Sequence, residues 1–176
     1  MLTVSRVEPS KRPFDFVDLA SKVASYLSNV EFIWAGEGTM MRVVSKRASE
    51  CATVSIRFVG HVSDEEKQTL LERSDVYVST SESEGFALTP GEALLKGVPV
   101  VVYDLPVYRE IYGDNLFYVK RFDTDEFARK VVYCIQHREE VEEKVRRGRE
   151  FVKSMYSREA VGGKVRNALL KIFGDH

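Results

Sequence analysis

Short, almost wholly apolar runs alternate with longer amphipathic stretches along the chain. Leu2–Val7 is the first run, and Pro9 and Pro13 punctuate the loop behind it. Phe16, Leu19, Ala20, Val23, Ala24 and Leu27 then recur at i, i+3, i+4, i+7, i+8 and i+11, which is one buried face of a helix. The same pattern predicts strands over Val30–Ala35, Val54–Val59, Val76–Ser79, Val98–Tyr103 and Leu116–Val119, the last at a sheet edge. Between and after them it predicts helices over about Met40–Ser49, from a Ser63/Glu66 capping box to about Arg73, and from near Pro90 to Gly97. Three helices follow, over about Asp125–Gln136, Glu139–Lys153 and Arg158–Ile172. The last carries Val161, Val165, Ala168, Leu169 and Ile172 on one stripe.

Strands that are apolar at nearly every position are buried on both faces, which calls for a mostly parallel sheet of about six strands between two helical layers. Right-handed crossovers make such an α/β sheet doubly wound and put ligands beyond the carboxyl ends of its strands. The 176 residues, with no internal repeat or low-complexity stretch, are expected to form a single domain. A net charge of −1 argues against nucleic acid as a partner, because phosphate-backbone binding requires a basic excess. Cys51 and Cys134 stand far apart without metal-ligand spacing, and neither His61 nor His137 has a second ligand nearby, so no metal or other cofactor is expected. Two lone thiols, with no leader-like or spanning apolar run, give a cytoplasmic expectation.

The chemistry concentrates in Ser81–Val101, SESEGFALTPGEALLKGVPVV. Glu84 and Glu92 are separated by seven residues, with a strand before them and a helix starting between them. Gly85 lets backbone approach a ligand, and the N–H groups of Phe86, Ala87, Leu88 and Thr89 lie at the helix N-terminus. Unpaired donors and the helix dipole there attract phosphate. A carboxylate on each side of such a turn suits hydroxyls flanking a diphosphate, as in a nucleotide-sugar.

This block resembles the Glu-x7-Glu motif of the family-4 (group 1) retaining glycosyltransferases, whose GT-B fold pairs two Rossmann-like domains. Ser5-Arg6-Val7-Glu8-Pro9-Ser10-Lys11 is similar to the family's Gly-Arg-x4-Lys turn, whose cations hold the donor diphosphate. Arg57–Asp64 resembles the strand end and loop that frame the base, and Asp104–Asp114 a family segment after the fifth strand. The resemblance implies the C-terminal, donor-binding half of such an enzyme, with the N-terminal acceptor domain absent and the chain inactive by itself. It implies Glu84 as the catalytic carboxylate and Arg6, Lys11 and the Phe86–Thr89 N–H groups as diphosphate ligands. It also implies Glu92 on the ribose and Phe58, Val62 and Asp64 around the base. Ser5 and Ala87 stand where the family usually has glycine, and Arg158 where it often has tryptophan.

Each of these residues has a plainer reading. Thr89-Pro90-Gly91-Glu92 is itself a capping box, in which Glu92 merely bonds a backbone N–H. Glu84 reads also as a solvated loop carboxylate beside Glu82, and Arg6 and Lys11 as surface charges. Gly36-x-Gly38 lacks the third glycine of a dinucleotide fingerprint, and Asp123-Thr124-Asp125 reads as a helix cap rather than a metal-binding DxD. Lys144, Arg146, Arg147 and Arg149, mixed with glutamates, read first as a solvated helix face and second as a peripheral contact with an anionic membrane. A stand-alone or degenerate nucleotide-binding module without catalysis is the alternative to the half-enzyme.

Overall fold

A computed structural model of the chain describes residues 1–51, 54–156 and 162. Six strands form one sheet: β1 (Leu2–Val4), β2 (Phe32–Ala35), β3 (Ile56–Gly60), β4 (Tyr77–Ser79), β5 (Val100–Tyr103) and β6 (Phe117–Val119). All named pairs are parallel, in the order β3-β2-β1-β4-β5-β6. The helices are α1 (Pro13–Tyr26), α2 (Met41–Ser49), α3 (Asp64–Glu72), α4 (Leu88–Leu95), α5 (Pro106–Tyr112), α6 (Thr124–Gln136) and α7 (Arg138–Tyr156), with a 3-10 turn at Pro9–Lys11.

Alternating side chains of each strand feed two cores. Trp34, Val78, Val101 and Tyr103 pack with α1, α2 and α6 through Phe16, Val44 and Phe127. Leu2, Tyr77, Val100 and Val102 pack on the other face with α3, α4, α5 and α7 through Leu71, Leu94, Tyr108 and Val152. The strands are three to five residues long, so ladder bonds are few and burial of the two faces carries the fold. A fully buried side chain such as Leu94 or Phe127 contributes about 1.5–3 kcal/mol.

The doubly wound sheet and its edge position for β6 agree with the hydrophobic pattern, and the Ser63/Glu66 capping box and the Asp123 cap are both formed. β2, β3 and β5 begin two residues later than the apolar runs, and four other details differ. β1 ends at Val4 rather than Val7, although Val7 is fully buried like a strand residue. α4 starts at Leu88, two residues before Pro90, and the segment Pro106–Tyr112 is an unforeseen helix. α7 runs on to Tyr156, and the helix predicted over Arg158–Ile172 lies, Gly162 apart, outside the described residues. Among the described residues, no helix is long and apolar enough to cross a membrane.

Candidate donor-binding crevice

The strand order reverses between β1 and β4, and the loops leaving their carboxyl ends diverge to opposite layers. The loop after β1 is held from below by the loop after β2. Ser5 N–H donates to Ala35 O at 3.0 Å, Val7 N–H to Glu37 O at 2.9 Å, and the Trp34 indole to Ser5 O at 3.0 Å. That crossing requires Gly36 and Gly38: a Cβ would stand 2.0 Å from Ser5 O at the first and 2.3 Å from Val7 O at the second. The Gly36-x-Gly38 pair is therefore a backbone crossing that fixes both neighbours of Arg6. The Arg6 side chain is exposed, and its guanidinium makes no hydrogen bond or ion pair among the described residues. Ser5, in the place of a family glycine, is not at positive φ and adopts its conformation without left-handed strain.

The loops after β1 and β4 are stitched to each other. Glu82 N–H donates to Ser10 O at 2.9 Å, and Thr80 Oγ1 to Lys11 O at 2.8 Å. Lys11 Nζ meets Glu84 Oε1 at 2.6 Å, and both side chains are only 15% exposed. Sequence positions 73 apart thus bring together one expected phosphate ligand and the expected catalytic carboxylate. Beside them Arg12 grips Asp15 with two bonds, of 2.7 and 3.0 Å, and reaches Glu82 at 3.4 Å. This hydrogen bonding to Asp15 holds the guanidinium pKa above its ordinary value.

Across the crevice, Ala87 is the N-cap of α4 and lies in the left-handed region at φ 52°. An L-residue there costs roughly 1–2 kcal/mol relative to the right-handed region, which explains why the family favours glycine at this position. Alanine offers no side chain to cap with. Phe86, Ala87, Leu88 and Thr89 N–H groups donate to no acceptor among the described residues. Gly85 leaves open space where a Cβ would stand. The Phe86 ring turns outward and packs edge-on against Tyr156, with centroids 5.9 Å apart.

Glu92 does not close the local capping box, because Thr89 is the second residue of the helix rather than its cap. Its Oε1 accepts instead from Lys67 Nζ of α3 at 2.8 Å, while Oε2 is buried without a hydrogen-bond partner. An orphaned carboxylate oxygen is costly unless a donor arrives. Lys67 also meets Asp64 at 3.0 Å, so one ammonium ties the expected ribose and base ligands together. Val62 lines a neighbouring cavity of about 430 Å³ with Val59, His61 and Leu70. Phe58 points the other way, into the core under α1 and α2, and is not brought to that cavity. Lys67 and Tyr112, whose hydroxyl reaches Ala87 O, went unread in the sequence. Lys67 had one local signal, its i,i+3 spacing from Asp64.

The basic cluster on α7 is largely engaged. Arg146 pairs with Glu150, Arg147 donates to Asn115, and Lys144 lies over the Phe117 ring.

A parallel doubly wound sheet whose strand order reverses between β1 and β4 defines a Rossmann-like domain, and free N–H groups at a helix start are the kind of feature that suits an anion. The family model described as glycosyl transferases group 1 matches residues 1–151, and the chain belongs to that family. It is 28% identical over 165 residues to the trehalose synthase of Pyrococcus horikoshii, covering 87% of this chain and 39% of that protein. It is 28% identical over 109 residues to the phosphatidyl-myo-inositol mannosyltransferase of Mycobacterium leprae, covering 61% and 29%. The chain thus spans well under half the length of these curated relatives. Among solved structures, Staphylococcus aureus TarM with UDP superposes with a TM-score of 0.83 at 24% identity, over 94% of this chain and 34% of TarM. Anabaena HepE with UDP-glucose does so with a TM-score of 0.82 at 19% identity, over 96% and 48%. The fold is that of the Rossmann-like half of these GT-B glycosyltransferases.

Proposed function

We propose that the chain is the donor-binding half of a retaining glycosyltransferase acting in the cytoplasm on a UDP- or GDP-linked sugar. The observation that carries the proposal is the Lys11–Glu84 contact between the loops leaving β1 and β4, beside which stand the free N–H groups that open α4 and the half-orphaned Glu92 within it. In this reading Glu92 Oε2 accepts a ribose hydroxyl while Lys67 holds Oε1. The diphosphate lies against the N–H groups of Phe86 to Thr89, with Arg6 and Lys11 supplying positive charge in place of a metal ion. Glu84, next to Lys11, faces the sugar and steadies positive charge as the bond to phosphate breaks. The base lies by Val62 and Asp64, and Phe58 supports the strand beneath them. Acceptor recognition belongs to a partner domain, so transfer needs both halves.

Titration with UDP and GDP in the presence of a chelator tests the reading. One of them is expected to bind. Arg6→Ala should weaken that binding about ten- to a hundredfold, the equivalent of one charge-assisted hydrogen bond of roughly 1.5–3 kcal/mol. An absolute need for magnesium, or an affinity indifferent to Arg6, sinks the assignment. Glu92→Gln separates ligand from structural carboxylate. A ribose ligand predicts about five- to tenfold weaker nucleotide binding with little change in melting temperature. A fall in melting temperature with intact affinity would remove Glu92 from the site.

A further inference from the structure

We infer that Tyr112 is the positioning residue of the diphosphate-binding turn, reaching in from α5 to bridge the first backbone bond of α4. The inference rests on the donor reading above and extends it to a residue outside the crevice. The first intrahelical bond of α4 would run from Gly91 N–H to the carbonyl of its left-handed N-cap, Ala87, and in this chain a phenol stands between the two. Tyr112 Oη serves both. It donates to Ala87 O at 2.6 Å and accepts from Gly91 N–H at 3.0 Å.

The phenol cannot wander. Its residue is 2% exposed within the core shared by α4, α5 and α7, and the Asn115 N–H and side-chain amide both donate to Tyr112 O. Burial also pushes its pKa above the ordinary phenol value, which keeps the hydroxyl proton available for donation. At Gly91 a Cβ would stand 3.0 Å from Oη, so the absent side chain is what lets the hydroxyl reach the helix axis.

The consequence for the crevice follows from peptide planarity. Ala87 C=O and Leu88 N–H belong to one trans peptide unit and point in opposite directions. Anchoring the carbonyl on Tyr112 therefore aims the Leu88 N–H away from α5, on the side where it has no acceptor among the described residues. Without the hydroxyl, Ala87 O is left with Gly91 N–H as its partner, and the closer approach of the two tilts the Leu88 N–H away from this direction. The Tyr112 hydroxyl thus sets the aim of a phosphate ligand that it never touches.

The test is Tyr112→Phe, which keeps the ring and removes only the hydroxyl, titrated with whichever of UDP or GDP binds and with the matching nucleoside. A positioning role predicts about five- to thirtyfold weaker diphosphate binding, within the range of one hydrogen bond to a charged acceptor, and unchanged nucleoside binding. Amide exchange at Gly91 should accelerate in the ligand-free protein. Gly91→Ala supplies a second variant with the opposite local bias. Alanine favours the helix by propensity, yet its Cβ displaces the phenol, so diphosphate affinity should fall again. Equal losses for nucleoside and diphosphate, or none in either variant while Arg6→Ala still weakens binding, overturn the inference and leave the donor reading standing. Failure of the unaltered chain to bind either diphosphate overturns both.

Discussion

Assayed alone with its best-binding UDP- or GDP-sugar, the chain is expected to form no transfer product and at most to hydrolyse the donor slowly. Retaining transfer needs the acceptor hydroxyl held on the same face of the anomeric carbon as the departing phosphate. Positioning of that kind accounts for on the order of 7–11 kcal/mol of barrier in favourable cases, far more than any single contact within the crevice. On the donor reading, the described residues supply one wall of the site, and the opposing wall belongs to the acceptor domain. Joined to an acceptor-binding domain, the same residues should support transfer, and there Glu84→Gln should depress turnover much more than nucleotide affinity. Product analysis with the chain alone and with a two-domain enzyme checks this. Robust transfer by residues 1–176 alone would contradict the half-enzyme reading.

Gly36→Ala should be the most damaging single methyl group in the site's foundations. The new Cβ would lie 2.0 Å from Ser5 O and 2.8 Å from Ser5 C, and φ at Gly36 is +133°. Both colliding atoms are backbone, so no rotamer relieves the overlap. Overpacking and strain together suggest a loss of about 3–5 kcal/mol. For a chain of this size that corresponds to a melting temperature roughly 6–20 °C lower. Arg6 directly follows the displaced Ser5, with its own N 3.6 Å from the new Cβ, so whatever remains folded should also bind diphosphate more weakly. Thermal unfolding by circular dichroism measures the first effect. A shift below about 2 °C would show that the crossing is soft and that Arg6 is not held by it.

Much of this architecture was legible because burial on both faces leaves unbroken apolar runs, and because helix caps at Ser63 and Asp123 are local in sequence. The boundaries were less legible where burial and pairing part company. Val7 is as buried as a strand residue, but the chain beyond Val4 has left the ladder to cross over Gly36 and Gly38. The α5 helix escaped notice since seven residues present little periodicity. At α4 the local signals misled. Pro90 marks a helix start in many sequences, yet here a left-handed alanine opens the helix two residues earlier. The Thr89/Glu92 capping pattern was visible and goes unused, because Thr89 lies inside the helix, and Lys67 from another helix takes the carboxylate instead. Contacts between positions 73 apart, such as Lys11 with Glu84, or 25 apart, such as Tyr112 with Ala87, depend on the strand order. Nothing local encodes that order. The motif residues could therefore be named from the sequence, while their mutual geometry could not.

The Lys11–Glu84 pair bears on how the crevice is filled. Lys11 carries its own counter-ion in Glu84, so the positive field of the site comes mainly from Arg6 and the α4 amides, and long-range steering of an anion toward it is weak. On the donor reading, a diphosphate meets Arg6 first and then displaces Glu84 from Lys11. One ion pair is exchanged for another, and only the difference between them adds to affinity. The exchange also imposes an order of events. Glu84 is set free by the arrival of the diphosphate whose sugar it serves, and until then it stays neutralised by the lysine that the diphosphate must claim.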